Sequence, residues 1–306
     1  MDKELNKNYS LNGKVESINK GAGFSNLTLV LEDNSRINVK LDDYDISSLY
    51  TGNIYKIEAI GVLKNDDEVV LKIVSHKPID EVLSGDALEK IYLKFYKYAP
   101  VPMNIMQKEI EKRISRIGNV IIRKITNYIY KRNKNAFFTH PAGTKFHHAY
   151  VGGLSYHTLS MLKMADPFVE VYPFLSKDLL YAGIILHDMG KLGEITGVDG
   201  EYTIEGHLLG HLVMEAIDID TVAAKLGFQK SEEALVLKHM IISHHGQLNF
   251  GSPKKPMIAE AMLLWYLDAI DSKFTVLGEE LGLVNKGDWT SVMTILDKMK
   301  FYKPKI

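Results

Sequence analysis

Leu179-Leu-Tyr-Ala-Gly-Ile-Ile-Leu-His187-Asp188-Met-Gly-Lys191-Leu-Gly193 is the stretch from which the rest of the chain can be read. Eight apolar or small residues, enough for two helical turns and far too few to span a bilayer, run directly into an imidazole and a carboxylate. Ser176 is placed to cap such a helix, with Asp178 in its first turn where the dipole favours an anion. An ionised Asp buried beside a His is costly unless compensated, and a divalent cation compensates better than any neighbouring side chain. Gly190 predicts a left-handed residue that stops the helix, and Lys191 places a cation just outside the pair. Taken alone, the dipeptide also fits a plain Asp–His hydrogen bond in a packed core.

The neighbours favour a metal. Of the 11 histidines, all but His76 fall between His140 and His245. In chain order the candidate ligands are His157, His187 and Asp188, His211, His244 and His245, and Asp268 or Asp271. No two are spaced as a local chelate, so several helices must fold together to assemble them. His244 and His245 are about 100° apart on a regular helix, so both bind only at a helix end. Pro256 predicts the first turn of a last core helix on which Glu260, Leu264, Asp268 and Asp271 share one face. His140 and His239 read as structural.

Composition bounds the rest. At 306 residues, 46% hydrophobic and 25% charged, the chain has room for two domains of ordinary globular composition. A net charge of -1 gives no global pull on nucleic acid or anionic lipid, so a phosphate-binding surface must be local. Zero Cys excludes disulfides, thiolate zinc sites and Cys nucleophiles. Nothing near Met1 resembles a signal peptide and no run approaches a membrane span, so a cytoplasmic protein without membrane contact is expected.

Residues 10–76 alternate as strands do, over 11–18, 27–31, 36–41, 54–63 and 69–75, with turn formers such as Thr51-Gly52-Asn53 between them. Five short strands suggest a small closed barrel of the OB type. Phe24, Tyr44 and Tyr55 are candidates for stacking on a single strand, yet residues 1–76 carry 9 Lys/Arg against 12 Asp/Glu. Nucleic-acid contact and a packing or oligomerisation role stand level for this unit. Beyond Pro78 the composition turns helical, with a break at Pro100 and Pro102. Ile110, Ile114, Ile117, Ile121, Ile125 and Tyr128 predict one apolar face of a single following helix. Residues 101–135 hold 9 Lys/Arg against 2 Glu, a local surplus that could lead a polyanion toward the histidines. Lys254 and Lys255 add two cations close after the His pair. The fold class expected is α+β and multidomain, a five-stranded OB-like barrel followed by an all-α domain. Its units would be 1–78, a helical arm over 79–135, and 136–306.

The segments His147-His148-Ala-Tyr-Val-Gly-Gly-Leu-Ser-Tyr-His157, His187-Asp188-Met-Gly-Lys191, Glu205-Gly-His207-Leu-Leu-Gly-His211, Ser243-His244-His245-Gly246 and Leu267-Asp268-Ala-Ile-Asp271 closely resemble the HD-domain metal-dependent phosphohydrolases. Paired with an OB-like barrel in a chain of this length, they resemble the YhaM-type 3'-5' exoribonucleases over nearly the whole sequence. That resemblance implies divalent-metal-dependent removal of nucleotides from the 3' end of single-stranded RNA, and often of single-stranded DNA. It implies a first metal on His157, His187, Asp188 and Asp268, and a second sharing Asp188 and taking His211 and His244. His245 would be ligand or substrate contact, and Asp271 would orient a His. Asp188, Lys191 and His148 would act in catalysis, Lys191 and either His147 or His148 balancing phosphate charge or protonating the leaving oxygen. His147, His207, His245, Lys254 and Lys255 would contact substrate. Nitrogen and carboxylate donors without thiolate suit Mn, Fe, Co, Ni or Zn rather than Ca, with manganese the expected ion. A homo-oligomer is compatible with all of this. The other readings are an HD-type hydrolase of small or cyclic nucleotides, and an RNA-binding scaffold whose metal is structural.

Overall fold

The computed structural model describes residues 3–21, 24–42, 44–65, 68–144, 148–198, 200–248 and 251–306, with the side chains of Phe24 and Asn65 left outside that description. Strands β1 (Asn8–Gly21), β2 (Phe24–Leu31), β3 (Arg36–Lys40), β4 (Ile54–Asn65) and β5 (Glu68–Pro78) close a barrel in the order β1-β2-β3-β5-β4. All pairings are antiparallel except β3 with β5. Alternation explains the closure: Val15, Leu27, Leu29, Val39, Ile57 and Leu71 point inward with no exposure, and polar residues between them face water. Of the three aromatics weighed for stacking, Phe24 has its side chain outside the described residues and the other two are engaged within the barrel. Tyr55 is buried, its hydroxyl accepting from the Tyr50 amide and donating to the Ser48 carbonyl, while the Tyr44 hydroxyl bonds His76 Nδ1 at 2.8 Å.

Helices follow: α1 (Ile79–Val82), α2 (Gly85–Phe95), α3 (Met103–Ser115), α4 (Val120–Thr139), α5 (Gly153–Val171), α6 (Lys177–Leu186), α7 (Lys191–Glu194), α8 (Ile204–Lys225), α9 (Glu232–Ser243) and α10 (Ala259–Leu283). The single helix expected over the isoleucine face is two. The chain breaks at Arg116–Asn119, and the Asn119 side chain caps α4 by accepting from the amides of Ile121 and Ile122. The periodicity survives because both helices turn their apolar faces to one core. Met106, Ile110, Ile125 and Ile129 are fully buried in the cluster that also holds Leu154, Leu180, Ile184, Leu237 and Leu264. Each such side chain contributes about 1.5–3 kcal/mol on burial. Within the stretch expected as an arm, α3 and α4 therefore share the core of the later helices. Pro256 lies before the last core helix, which starts at Ala259, and the buried Glu260 in its first turn accepts from the Ser176 amide.

Barrel and helices meet through Ile54, Ile79 and Leu88, with Tyr92 and Tyr96 packed on them. The Lys14 ammonium lies 4.6 Å from the Tyr96 ring centre, so the junction has a polar rim. Among the described residues no helix is long and apolar enough to cross a membrane. Past α10 the chain returns as a short hairpin, with bridges Trp289–Tyr302 and Met293–Met299 and a 3-10 turn at Thr294–Leu296 at its tip.

Candidate metal centre

α6 carries its apolar run into the core and stops at His187, whose amide makes the last helical bond to Gly183. Asp188 sits in the tight turn between α6 and α7. Gly190 is right-handed (φ -60°, ψ -20°), which corrects the left-handed stop expected there. A Cβ at this position would lie 2.4 Å from the His211 carbonyl oxygen, so glycine is needed to let α8 approach. In α8 the backbone is non-helical at Gly210 (φ 71°, ψ 158°), a conformation that only glycine adopts readily. The break frees the His211 amide, which donates to Glu194 Oε1 at 3.0 Å and re-aims the imidazole. α9 ends at Ser243, so His244 and His245 leave the helix together, as their adjacency requires. His157 comes from α5, and Asp268 and Asp271 from α10.

The histidines arrive with their tautomers set. His187 Nδ1 is 2.8 Å from the Ile184 carbonyl and His244 Nδ1 is 2.7 Å from the Ile241 carbonyl. A carbonyl only accepts, so each Nδ1 carries the proton and each Nε2 presents a lone pair. His157 Nδ1 donates to Asp271 at 2.7 Å, and His211 Nδ1 donates to Glu194 at 2.9 Å. All four Nε2 atoms face Asp188. Its Oδ2 lies 3.3 Å from His187 and 3.9 Å from His157, and its Oδ1 lies 3.5 Å from His211 and 3.8 Å from His244. Asp268 Oδ1 is 3.3 Å from His157 Nε2. The carboxylate of Asp188 thus separates two donor sets, one per oxygen.

This arrangement fits a bound cation. Nε2 of His211 and Nε2 of His244 are buried without a hydrogen-bond partner, and buried nitrogens normally have one. Nε2 of His157 and Nε2 of His187 face each other at 3.2 Å, where two lone pairs repel unless a proton or a cation lies between them. Donor atoms within 4.8 Å of one another form the groups His157–His187–Asp268, His187–Asp188–His244 and His211–His244–His245. The donors are imidazole and carboxylate throughout, a set suited to first-row transition metals.

The electrostatics agree with that chemistry. Burial opposes charge on Asp188, but Lys191 and His187 outweigh it and hold the carboxyl well below its usual range. Burial likewise acts against ionised Asp268 and Asp271, yet hydrogen bonds from the histidines keep both low, Asp271 at about 2. Burial disfavours a cation on His157, but bonds to Asp268 and Asp271 raise it to about 10. His244 is held well below its usual value by burial and by His245 and His187. The pocket is built to concentrate positive charge on two acids and Asp188.

Lys191 Nζ donates to Asp188 Oδ2 and to the Ala142 carbonyl, both at 2.7 Å, from the start of α7. His148, expected to act in catalysis, lies behind His157. Its ring is buried, with Nδ1 at the Tyr150 hydroxyl, 2.7 Å, and Nε2 at Asp271, 2.8 Å, so it braces Asp271 from behind His157. His147 lies outside the described residues. His207 is exposed, its ring 5.2 Å from that of Tyr202. His245 is half-buried, its ring 4.4 Å from that of His244 and 5.2 Å from that of His211. Lys254 and Lys255 are exposed beyond it. In the basic stretch Arg113, Arg132 and Lys134 are paired with acids, and Arg123 donates to the Ile117 carbonyl. The cation surplus there is smaller at the surface than in the sequence. Glu194 has no signature in ligand spacing; its one signal is a second acid six residues after Asp188, across Met-Gly-Lys-Leu-Gly.

Comparison with known proteins adds three findings. The HD domain family matches residues 154–273. The 3'-5' exoribonuclease YhaM of Geobacillus sp. (strain WCH70) is 39% identical over 300 residues, 95% of this chain and 90% of that protein. The 3'-5' exoribonuclease YhaM of Bacillus subtilis (strain 168) is 38% identical over 91% of this chain and 88% of its own length, and that of Bacillus pumilus (strain SAFR-032) is 36% identical over 99% and 97%. No solved structure matches the chain significantly.

Proposed function

Because this chain belongs to the YhaM family of 3'-5' exoribonucleases, we infer that it is itself a metal-dependent hydrolase that removes nucleotides from the 3' end of single-stranded RNA. The observation that carries the reading is the convergence of four Nε2 atoms on the two oxygens of one buried aspartate. We assign two divalent ions, manganese first among the candidates. His157, His187, Asp188 and Asp268 would hold one; Asp188, His211 and His244 would hold the other, with His245 as a further ligand or a substrate contact. Bound there, the ions supply an activated water and neutralise charge on the phosphoryl group.

The chain's own residues do the positioning. Asp271 and Glu194 keep the protons of His157 and His211 on Nδ1, which leaves Nε2 free to ligate. Lys191 uses two of its three donors on Asp188 and Ala142, and the third is available to a phosphate oxygen. It thereby steadies the shared carboxylate and lowers the cost of bringing a phosphodiester to it. Lys254 and Lys255 extend positive charge outward, and His207 is accessible to a longer strand. Single-stranded DNA is a second substrate of the same chemistry, and we place the working units at 1–78, 79–135 and 136–306.

The test uses 5'-end-labelled single-stranded RNA and a panel of divalent metals. The parent should shorten RNA one nucleotide at a time, and Asp188→Ala should lose that activity and its metal while keeping its helical signal. Equal turnover of mononucleotides and oligomers would instead make it a small-nucleotide hydrolase. Near-normal shortening by Asp188→Ala would sink the assignment.

A further inference from the structure

Asp268 shares its stripe of α10 with Trp265, Ala269 and Ser272, since residues spaced by three and four line one helix face. That stripe floors a groove of about 680 Å³, which also takes in His245, Tyr266 and Lys273, and whose far wall is the tip of the C-terminal hairpin at Thr294, Ile295 and Asp297. Two residues of the metal centre, His245 and Asp268, open into it. The groove is thus open to a nucleoside flanking a phosphate held at those two residues.

The floor is aromatic and rigid. The rings of Trp265 and Tyr266 stack with centroids 4.9 Å apart and planes at 23°. Gly246, at φ +73° directly after the His pair, lays its backbone against the indole, where a Cβ would come within 2.0 Å of Cδ2. The indole is thus clamped on one side by the loop that carries His244 and His245. Its position is tied to the ions. Tyr266 is 43% exposed, far more than a residue serving only the core. A second groove, of about 570 Å³, adjoins across Trp265 and Gln247 and holds Lys255 but no residue of the metal centre.

Resting on the exoribonuclease reading above, we propose that Trp265 and Tyr266 form a base-stacking platform for the 3'-terminal nucleotide, with Lys273 beside it and the preceding phosphates led past Lys255. Aromatic stacking tolerates any base, which suits an enzyme that must remove every nucleotide it meets. The hairpin tip walls the groove on one side, where a terminal nucleoside would come to rest.

The chain has two tryptophans, so Trp289→Phe leaves Trp265 as the sole indole reporter. The manganese-loaded full-length Trp289→Phe protein is titrated with AMP and with a hexa-adenylate slowed by a 3'-terminal phosphorothioate linkage, and indole emission is followed. Stacking should quench that emission with both probes. In steady-state kinetics Tyr266→Ala, and independently Trp265→Phe, should raise KM for RNA, Tyr266→Ala by about 5- to 150-fold, the ratio expected for loss of one stacked base. The change should fall on KM more than on kcat, with metal content as in the parent. Unchanged emission and unchanged KM in a protein that does shorten RNA would overturn the platform alone. A parent that shortens no RNA with any metal would overturn the exoribonuclease reading and the platform with it.

Discussion

Replacing Asp271 by Asn tests whether an acid that touches no ion governs one. Its carboxylate accepts from His157 Nδ1 at 2.7 Å and from His148 Nε2 at 2.8 Å. Both rings meet the same oxygen, Oδ2, so a nearly isosteric amide accepts from both only in weakened, uncharged form when its oxygen lies there, and from neither when its NH₂ lies there. If its NH₂ faces His157, the imidazole must take the opposite tautomer, and the Nε2 lone pair aimed at Asp188 and Asp268 becomes an N–H. A hydrogen bond to a charged group is worth about 1.5–3 kcal/mol, which corresponds to about 10- to 150-fold in an equilibrium constant. Partners behind a metal ligand typically govern about 10- to 100-fold in affinity, so the two figures agree. Calorimetric titration of the metal-free variant with manganese should show one of the two ions weakened by roughly that factor. RNA shortening by Asp271→Asn should recover as manganese is raised. Asp268→Asn, losing an oxygen placed to ligate, should lose more activity and recover less. Parent-like metal affinity in Asp271→Asn, or a deeper loss there than in Asp268→Asn at saturating metal, would refute the division of roles.

Lys191→Met removes the ammonium from a buried carboxylate, a change that costs about 3–5 kcal/mol when nothing else compensates; the melting temperature should fall sharply in EDTA and much less with manganese present, and equal falls would argue against a cation beside Asp188. Gly190→Ala puts a Cβ 2.4 Å from the His211 carbonyl oxygen; forcing α8 outward should cost about 1–3 kcal/mol by chemical denaturation and weaken metal binding, whereas a neutral result would show that α8 can shift freely. Glu215 is buried and its carboxyl is pushed well above the usual range, by burial first and Asp218 second, against the pull of Arg132. The folded state therefore holds a proton that the unfolded chain releases above roughly pH 4.5, and stability falls as pH rises from there toward the raised value. Glu215→Gln should raise the melting temperature by an amount that grows between pH 5 and pH 8; a gain independent of pH would contradict the linkage. Lys254→Ala with Lys255→Ala should flatten the log-log salt dependence of RNA affinity by about 0.7 for each lysine–phosphate pairing removed, and an unchanged slope would exclude that pair from the grip.

The barrel was legible because its strands alternate strictly and its turns carry Gly, Asn and Asp, both local signals. The metal cluster was legible because imidazoles and acids are rare enough on apolar helices to stand out, as His187 and Asp188 do after Ile184, Ile185 and Leu186. What could not be read is whatever depends on packing across the fold. The isoleucine face continues through the break at Arg116–Asn119 because both helices pack on the same core, so periodicity alone could not see the stop. Gly190 looks like a helix terminator, and only the approach of α8 shows why a side chain is forbidden there. His148 and His157 are equivalent as letters. The placement of Asp271 between their rings is what turns one toward Asp188 and the other into its support. Glu194 and Trp265 depend on a backbone break at Gly210 and a loop folded onto an indole at Gly246, neither of which has a signature in spacing.

The proposed ligands come from α5, the turn after α6, α8, the end of α9 and α10, and His157 is separated from Asp271 by 114 residues. A ribosome adding about 5–20 residues per second takes roughly 6–23 seconds to cover that distance. Throughout that interval the nascent chain displays a growing set of imidazoles with neither α10 carboxylate available. Any ion captured early meets an incomplete set of donors, poor in negative charge, and must be exchanged or completed when α10 docks. Under the proposed ligand assignment the metal would be settled only after the last core helix docks, and a chain stalled before Asp268 would lack an acid on which the site depends.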